Sequence, residues 1–314
     1  MDSSDAPDPR VAGMNKGGSP SRKKTFFLRL TSTLVLWALV VGGLVLNWSW
    51  LAFTLIALVA VLALLECLRL FGVERHPALH HWTVGIGVLY LSATFLYSRQ
   101  ENVYFAHLDI FFVVLHIFGA FVVTLFRPLS GRETLERLTG AVFAFLYIPF
   151  FFNFLIRILY LDSARELSGG NGSVHLLFLV VTTKFTDMGA YVIGSWRGKH
   201  PAAPSISPGK TWEGFGGAFL GALVGAIGVL LLFRGRMFPV TPPHAVYLAL
   251  LLAVAAILGD LAESLLKRCA KVKDSGNMLP GIGGALDLID SLCFTAPVLY
   301  LYLNLLLDGG HATP

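Results

Sequence analysis

SLLKRCAKVKDSGNMLPGIGGALDLIDS, residues 264–291, places four basic residues, three aspartates and a Pro-Gly-rich turn between two long apolar runs. Asp260, Glu263 and Ser264 close the run before it. Asp287 and Asp290 open the run after it, which continues to Leu307. A carboxylate at membrane depth is expensive and is usually there for function. The stretch reads as a metal and phosphate site at a membrane boundary.

The composition outside this stretch is that of an integral membrane protein. Hydrophobic residues make up 55% of the 314, charged residues only 14%, and the mean hydropathy is +0.69. A bilayer-crossing helix needs about 20 apolar residues. About nine runs qualify: 26–47, 49–71, 80–98, 108–126, 138–160, 174–195, 212–233, 244–266 and 285–307. The expected fold is therefore all-α, a polytopic bundle of about nine transmembrane helices over 26–309. Residues 1–25 are polar, basic and rich in Ser, Pro and Gly, and are expected to be a disordered tail. The first span lacks a small-residue cleavage site and reads as an uncleaved anchor.

With the N-terminus inside, the inner segments hold about sixteen Lys and Arg and the outer loops about four. That places the N-terminus in the cytoplasm, the C-terminus outside, and the loops 196–211 and 267–284 on the cytoplasmic face. In a bacterium this is the cytoplasmic membrane. The pI near 9.2 belongs to these topogenic loops and does not point to nucleic acid. Cys67, Cys269 and Cys293 have no metal-type spacing, and the scattered histidines have none either. Gly214, Gly217, Gly221, Gly225 and Gly228 suit close helix packing.

Helical periodicity puts Asp260, Glu263, Ser264 and Lys267 on one face, and Asp287, Asp290 and Ser291 on one face of the next helix. A loop of about 17 residues joins the two helices, so their carboxylates could converge. Oxygen ligands of this kind suit Mg²⁺ shared with substrate phosphates. Lys267, Arg268, Lys271 and Lys273 would neutralise a triphosphate or pyrophosphate. The competing reading is a set of structural ion pairs, Asp260 with Lys267 and Asp274 with Lys271. Left charged and unpaired, each intramembrane aspartate would cost roughly 2.5–3.5 kcal/mol, which a divalent cation or one shared proton relieves.

A second block runs from Thr186 to Gly217. Gly209-Lys210-Thr211 imitates the end of a P-loop, but Pro204 stands where the first glycine is required, and the P-loop reading is rejected. Ser207 and Thr211 still offer hydroxyls, Lys210 a cation, and Pro208 a stiff approach to a helix opened by Thr211, whose N-terminal amides favour anions. Lys184 and Asp187, three apart, can form a local ion pair, and a structural and a functional role are equally open for them. Glu66 with Arg69 at i+3 reads as another such pair.

These residues resemble the signature of the phosphatidate cytidylyltransferase (CDP-diacylglycerol synthase) family: S-x-apolar-K-R, four residues, K-D, then P-x-H-G-G and D-R-x-D. Ser264, Lys267, Arg268, Lys273, Asp274, Gly276, Leu279, Pro280, Gly283, Gly284, Asp287 and Asp290 fall in register. DMGAYVIGSWRGKH…SPGKTWEG is similar to a second shared block, and the segment around Glu66 to a weaker third. Ile282 stands at the family's His, Ala285 at an apolar position and Leu288 at its Arg. The resemblance implies transfer of CMP from CTP to phosphatidic acid, releasing pyrophosphate, with Mg²⁺ as cofactor. Asp260, Lys273, Asp274, Asp287 and Asp290 form the expected catalytic set, with Asp260, Asp287 and Asp290 on the metal. Ser207, Pro208, Lys210, Thr211, Lys267 and Arg268 are the expected substrate-binding residues. The expected partners are CTP, phosphatidic acid and the lipid bilayer, with a homodimer permitted. The rival readings are CTP-dependent transfer to an isoprenoid lipid phosphate and cation- or proton-coupled transport.

Overall fold

The computed structural model describes residues 38–46, 48–100, 105–128, 130–161, 172–276, 278 and 283–309. The expected tail 1–25, most of the first span, and Leu279, Pro280 and Ile282 lie outside the described residues.

Among the described residues the regular structure is helical apart from one small hairpin. Helix α1 covers 38–45 of the first expected span. It is followed by α2 (Ser49–Leu70), α3 (Pro77–Tyr97), α4 (Phe105–Leu125), α5 (Arg132–Phe145) and α6 (Phe151–Leu159). The C-terminal half comprises α7 (Gly172–Arg197), strands β1 (Pro201–Ala203) and β2 (Ser207–Thr211), then α8 (Trp212–Leu232), α9 (Pro242–Cys269) and α10 (Ala285–Gly309). Among the described residues, seven helices are long and apolar enough to cross a bilayer, with α5 and α6 counted as one continuous span. Helix α3 is as long as these but more polar, carrying His80, His81, Thr83 and Thr94. The chain is an all-α, multi-pass integral membrane protein.

Backbone hydrogen bonding dictates this form, because hydrocarbon offers the peptide groups no partners. Large apolar side chains face outward where a water-soluble protein would be polar. Phe118, Phe126 and Leu232 are each at least two-thirds exposed. Pro149 cannot donate in a helix and crowds the preceding turn. The chain responds with a π-helical segment, Leu146–Phe150, between α5 and α6. Helix α5 begins at Arg132, earlier than its apolar run, because the i,i+4 pairs Arg132–Glu136 and Arg137–Glu133 support a polar first turn.

Helices α7 and α8 pack backbone to backbone. A Cβ at Gly189 would collide with the Gly217 carbonyl, and one at Gly217 with that of Gly189, so these two glycines serve packing. The loop expected at 201–211 is an antiparallel hairpin, with Pro201 opposite Thr211 and Ala203 opposite Ser207. Thr211 is the N-cap of α8, its hydroxyl oxygen accepting from Gly214 N–H at 3.1 Å.

Candidate active site

Four helix ends, the β-hairpin and the loop residues 270–276 meet on one face: the C-termini of α2, α7 and α9 and the N-terminus of α10. The hairpin touches the end of α9 directly, Arg268 Nε–H donating to the Ile206 carbonyl at 3.1 Å. Helices α9 and α10 approach closely at Gly259, where a Cβ would lie 2.6 Å from the Asp290 carbonyl oxygen. That contact brings Asp260 and Glu263 alongside Asp290.

One carboxylate oxygen from each of Asp260, Glu263 and Asp290 lies within 4.8 Å of the others. Glu263 is 1% exposed and Asp290 7%, while Asp260 is partly open. This set differs from the expected one by a single exchange. Asp287 stands at the edge of the cluster beside Glu263, its Oδ1 taken by Lys267 Nζ at 2.7 Å and its Oδ2 by the Ser275 hydroxyl at 3.0 Å. Glu263 occupies the place expected for Asp287. The helical period allows the exchange, since Glu263 is one turn from Asp260 on the same face.

Two lysines bracket the carboxylates. Lys267 bridges Glu263 (2.6 Å) and Asp287 (2.7 Å). Lys210, on β2, pairs with Asp260 at 2.7 Å. The alternative pairing of Asp260 with Lys267 is thus replaced by Asp260 with Lys210. Lys273 and Asp274 are exposed in the loop and form no ion pair among the described residues, so the pairing of Asp274 with Lys271 does not occur there either. The structure brings Asp260, Asp290, Lys210, Lys267 and Asp287 together and leaves Lys273, Asp274 and Arg268 at the rim.

Lys210, Gly209 and Thr211 line a polar pocket of about 230 Å³ together with Asp187, Tyr191 and Asp260. Ser207 and Pro208 lie on the same strand but are not among its lining residues. Thr211 spends an oxygen lone pair on its cap, which leaves its hydroxyl proton able to donate. Glu213, in the first turn of α8, accepts from the backbone amides of Lys199 and His200 at 3.2 and 3.3 Å, and so ties the end of α7 to the hairpin.

The residue least visible from sequence is Glu66. It does not pair with Arg69, which instead meets Glu74 at 3.4 Å. Glu66 is fully buried and receives Leu286 N–H at 2.9 Å, Met278 N–H at 3.3 Å and the Ser275 hydroxyl at 3.4 Å. Leu286 is in the first turn of α10, so Glu66 acts as an N-cap supplied by another helix. Gly284 makes room for it, since a Cβ there would stand 2.6 Å from Asp287 Oδ2 and 3.0 Å from Glu66 Oε2. Ser275 and Glu66 were not expected in the site, and Glu263 was expected among the converging carboxylates but not in the metal set. Glu263 had a signal in its spacing from Asp260, and Glu66 only in its weak likeness to a shared block.

The donor set fits a divalent cation. It is all oxygen, it is fed by three helix-borne carboxylates, and Glu263 Oε1 is buried with no hydrogen-bond partner. A buried carboxylate oxygen left without a partner is costly, and a cation held among these three carboxylates would relieve that cost.

The sequence profile described as "Cytidylyltransferase family" matches residues 27–306. The chain belongs to the cytidylyltransferase family. It is 40% identical over 172 residues to the phosphatidate cytidylyltransferase of Bacillus subtilis (strain 168), covering 55% of this chain and 60% of that relative. It is 33% identical over 185 residues to the phosphatidate cytidylyltransferase of Mycobacterium bovis, covering 57% and 56%. An uncharacterized Escherichia coli K12 protein, YnbB, is 28% identical over 257 residues, covering 81% and 80%. The matched stretch thus spans a little over half the length of the two family members named for an activity.

Proposed function

We propose that this family member is a CTP:phosphatidate cytidylyltransferase, forming CDP-diacylglycerol and pyrophosphate at the cytoplasmic face of the membrane, with the N-terminus inside and the C-terminus outside. The observation that carries the reading is the gathering of Asp260, Glu263 and Asp290 between Lys210 and Lys267. Both named relatives quoted above with an activity are phosphatidate cytidylyltransferases.

The chemistry asks little acid–base work of the protein. An anionic oxygen of the lipid phosphate attacks the α-phosphorus of CTP, and the bond to the pyrophosphate oxygen breaks. The difficulty is bringing two polyanions together and stabilising the leaving pyrophosphate. Asp260, Glu263 and Asp290 would hold Mg²⁺, which when bound neutralises phosphate charge and polarises phosphate oxygens. Lys210 borders the polar pocket and offers its ammonium to the nucleotide phosphates. The Thr211 hydroxyl and the first amides of α8 favour an anion at the same place. Lys267 holds Glu263 and Asp287 in register. Arg268, Lys271 and Lys273 give the rim a positive field that draws the nucleotide in.

The carboxylate cluster lies at one end of the bundle rather than strung across it, which favours group transfer over ion transport. The test is an assay of purified protein in mixed micelles with labelled CTP, phosphatidic acid and Mg²⁺. Metal-dependent, chloroform-soluble cytidine product is expected. Protein that is folded and binds Mg-CTP yet transfers nothing to phosphatidic acid, and does transfer to an isoprenyl phosphate, would overturn the acceptor assignment.

A further inference from the structure

Two cavities share one ion pair. Lys184 and Asp187 lie one turn apart on α7, with Nζ 3.3 Å from Oδ2. Asp187 lines the polar pocket beside Lys210 and Asp260. Lys184 lines a different cavity of about 190 Å³, walled by apolar side chains that include Ile56, Leu155, Leu176, Val180 and Leu292. Among the described residues, Lys184 is the one charged residue in that lining. Its ammonium also donates to the Leu288 carbonyl at 3.2 Å, between the positions of Asp287 and Asp290.

A lysine is a poor choice for closing an apolar cavity. A crevice lined almost wholly by apolar side chains favours apolar matter. Leucine or methionine at 184 would complete the wall without the cost of a half-buried ammonium. The charge therefore calls for a ligand that is hydrocarbon along its length and anionic at one end. Leu176, Val180 and Lys184 follow at i, i+4 and i+8 on α7, so the apolar wall extends about 12 Å along the helix before it reaches the ammonium. Lys184 also brings a cation to Leu288, the position where the signature quoted above has arginine.

We propose that this crevice seats one hydrocarbon chain of the phosphatidic acid acceptor, and that Lys184 is the positioning residue that receives its phosphate. The acceptor then lies on the Lys184 side of the ion pair and the nucleotide on the Asp187 side, with Asp290 next to both. The inference rests on the transferase reading for its occupant, but its test does not require turnover.

The experiment is native mass spectrometry of the full-length, detergent-purified protein, counting bound phosphatidic acid against bound diacylglycerol. Lys184→Met is expected to weaken phosphatidic acid binding about tenfold or more, the scale of one lost charge-assisted hydrogen bond, and to leave diacylglycerol binding in place. Lys184→Arg should restore it, which separates charge from folding. Val180→Phe, which fills the crevice, should weaken long-chain phosphatidic acid more than the dihexanoyl form. Unchanged binding in both Lys184→Met and Val180→Phe would overturn the proposal, as would a wild-type preference for an isoprenyl phosphate. Wild type that binds phosphatidic acid through Lys184 but yields no cytidine product would defeat the proposed function and leave the seat standing. Product formed by both variants with a wild-type acceptor KM would do the reverse.

Discussion

The Glu66 carboxylate accepts the amide hydrogen of Leu286 at 2.9 Å, joining the end of α2 to the start of α10 across 220 residues. The same carboxylate holds Met278 N–H and the Ser275 hydroxyl, and Ser275 in turn holds Asp287. A helix N-terminus, a loop and a site carboxylate all depend on one side chain.

Glu66→Ala should strand these donors, at about 1–3 kcal/mol for each group left buried and unsatisfied. A lower thermal midpoint in detergent is expected, together with roughly a hundredfold loss of turnover from the misplaced carboxylates. Glu66→Gln, which keeps one acceptor oxygen, should fall between. An unshifted midpoint in Glu66→Ala would mean that the loop holds its shape unaided.

Glu263 and Asp287 should separate in a magnesium titration. Asp260→Asn, Glu263→Gln and Asp290→Asn are each expected to raise the Mg²⁺ concentration for half-maximal rate by about tenfold or more. Asp287→Asn should lower kcat with that concentration little changed, in the 10- to 100-fold range typical of residues that orient ligands. The opposite pattern would return Asp287 to the metal and remove Glu263 from it.

Lys210 and Asp260 should be energetically coupled. In a double-mutant cycle of Lys210→Met and Asp260→Asn read on kcat/KM for CTP, the coupling should fall in the range of about 0.5–3 kcal/mol usual for residues in contact. Strict additivity would show that the 2.7 Å pair does not persist in the working enzyme.

Two glycine substitutions should part in sign. Gly259→Ala drives a methyl into the Asp290 carbonyl, 2.6 Å away, and should destabilise by about 1–3 kcal/mol. Gly228 has nothing within 4 Å of a Cβ, so Gly228→Ala should be neutral or stabilise its helix by roughly 0.5–1 kcal/mol. Thermal midpoints of the two purified variants decide it.

Much of this was legible in the sequence, for physical reasons. Spans announce themselves by length and apolarity, and a 3.6-residue period assigns Asp260, Glu263 and Lys267 to one face. What the period does not reveal is which face of a neighbouring helix is met. Asp287 and Glu263 were equally placed to enter the cluster, and both meet Lys267; what sets Asp287 apart is its bond to the Ser275 hydroxyl, a tertiary contact. Glu66 was assigned to Arg69 because local spacing is all that a lone helix displays. Its true partners are backbone amides, which leave no mark in the identity of the residues that carry them. Thr211 was legible as the start of a helix because capping is a local event, but the meeting of Lys210 with Asp260 is tertiary.

The Glu66 contact also bears on how the chain is made. Synthesis runs from the N-terminus, so Glu66 enters the membrane before any of its donors exist. Until α10 arrives, an acidic side chain must wait at the end of α2, and the active site has neither its loop nor Asp290. The candidate site is therefore completed only once α10 has docked, because Leu286 supplies one of the donors that Glu66 holds.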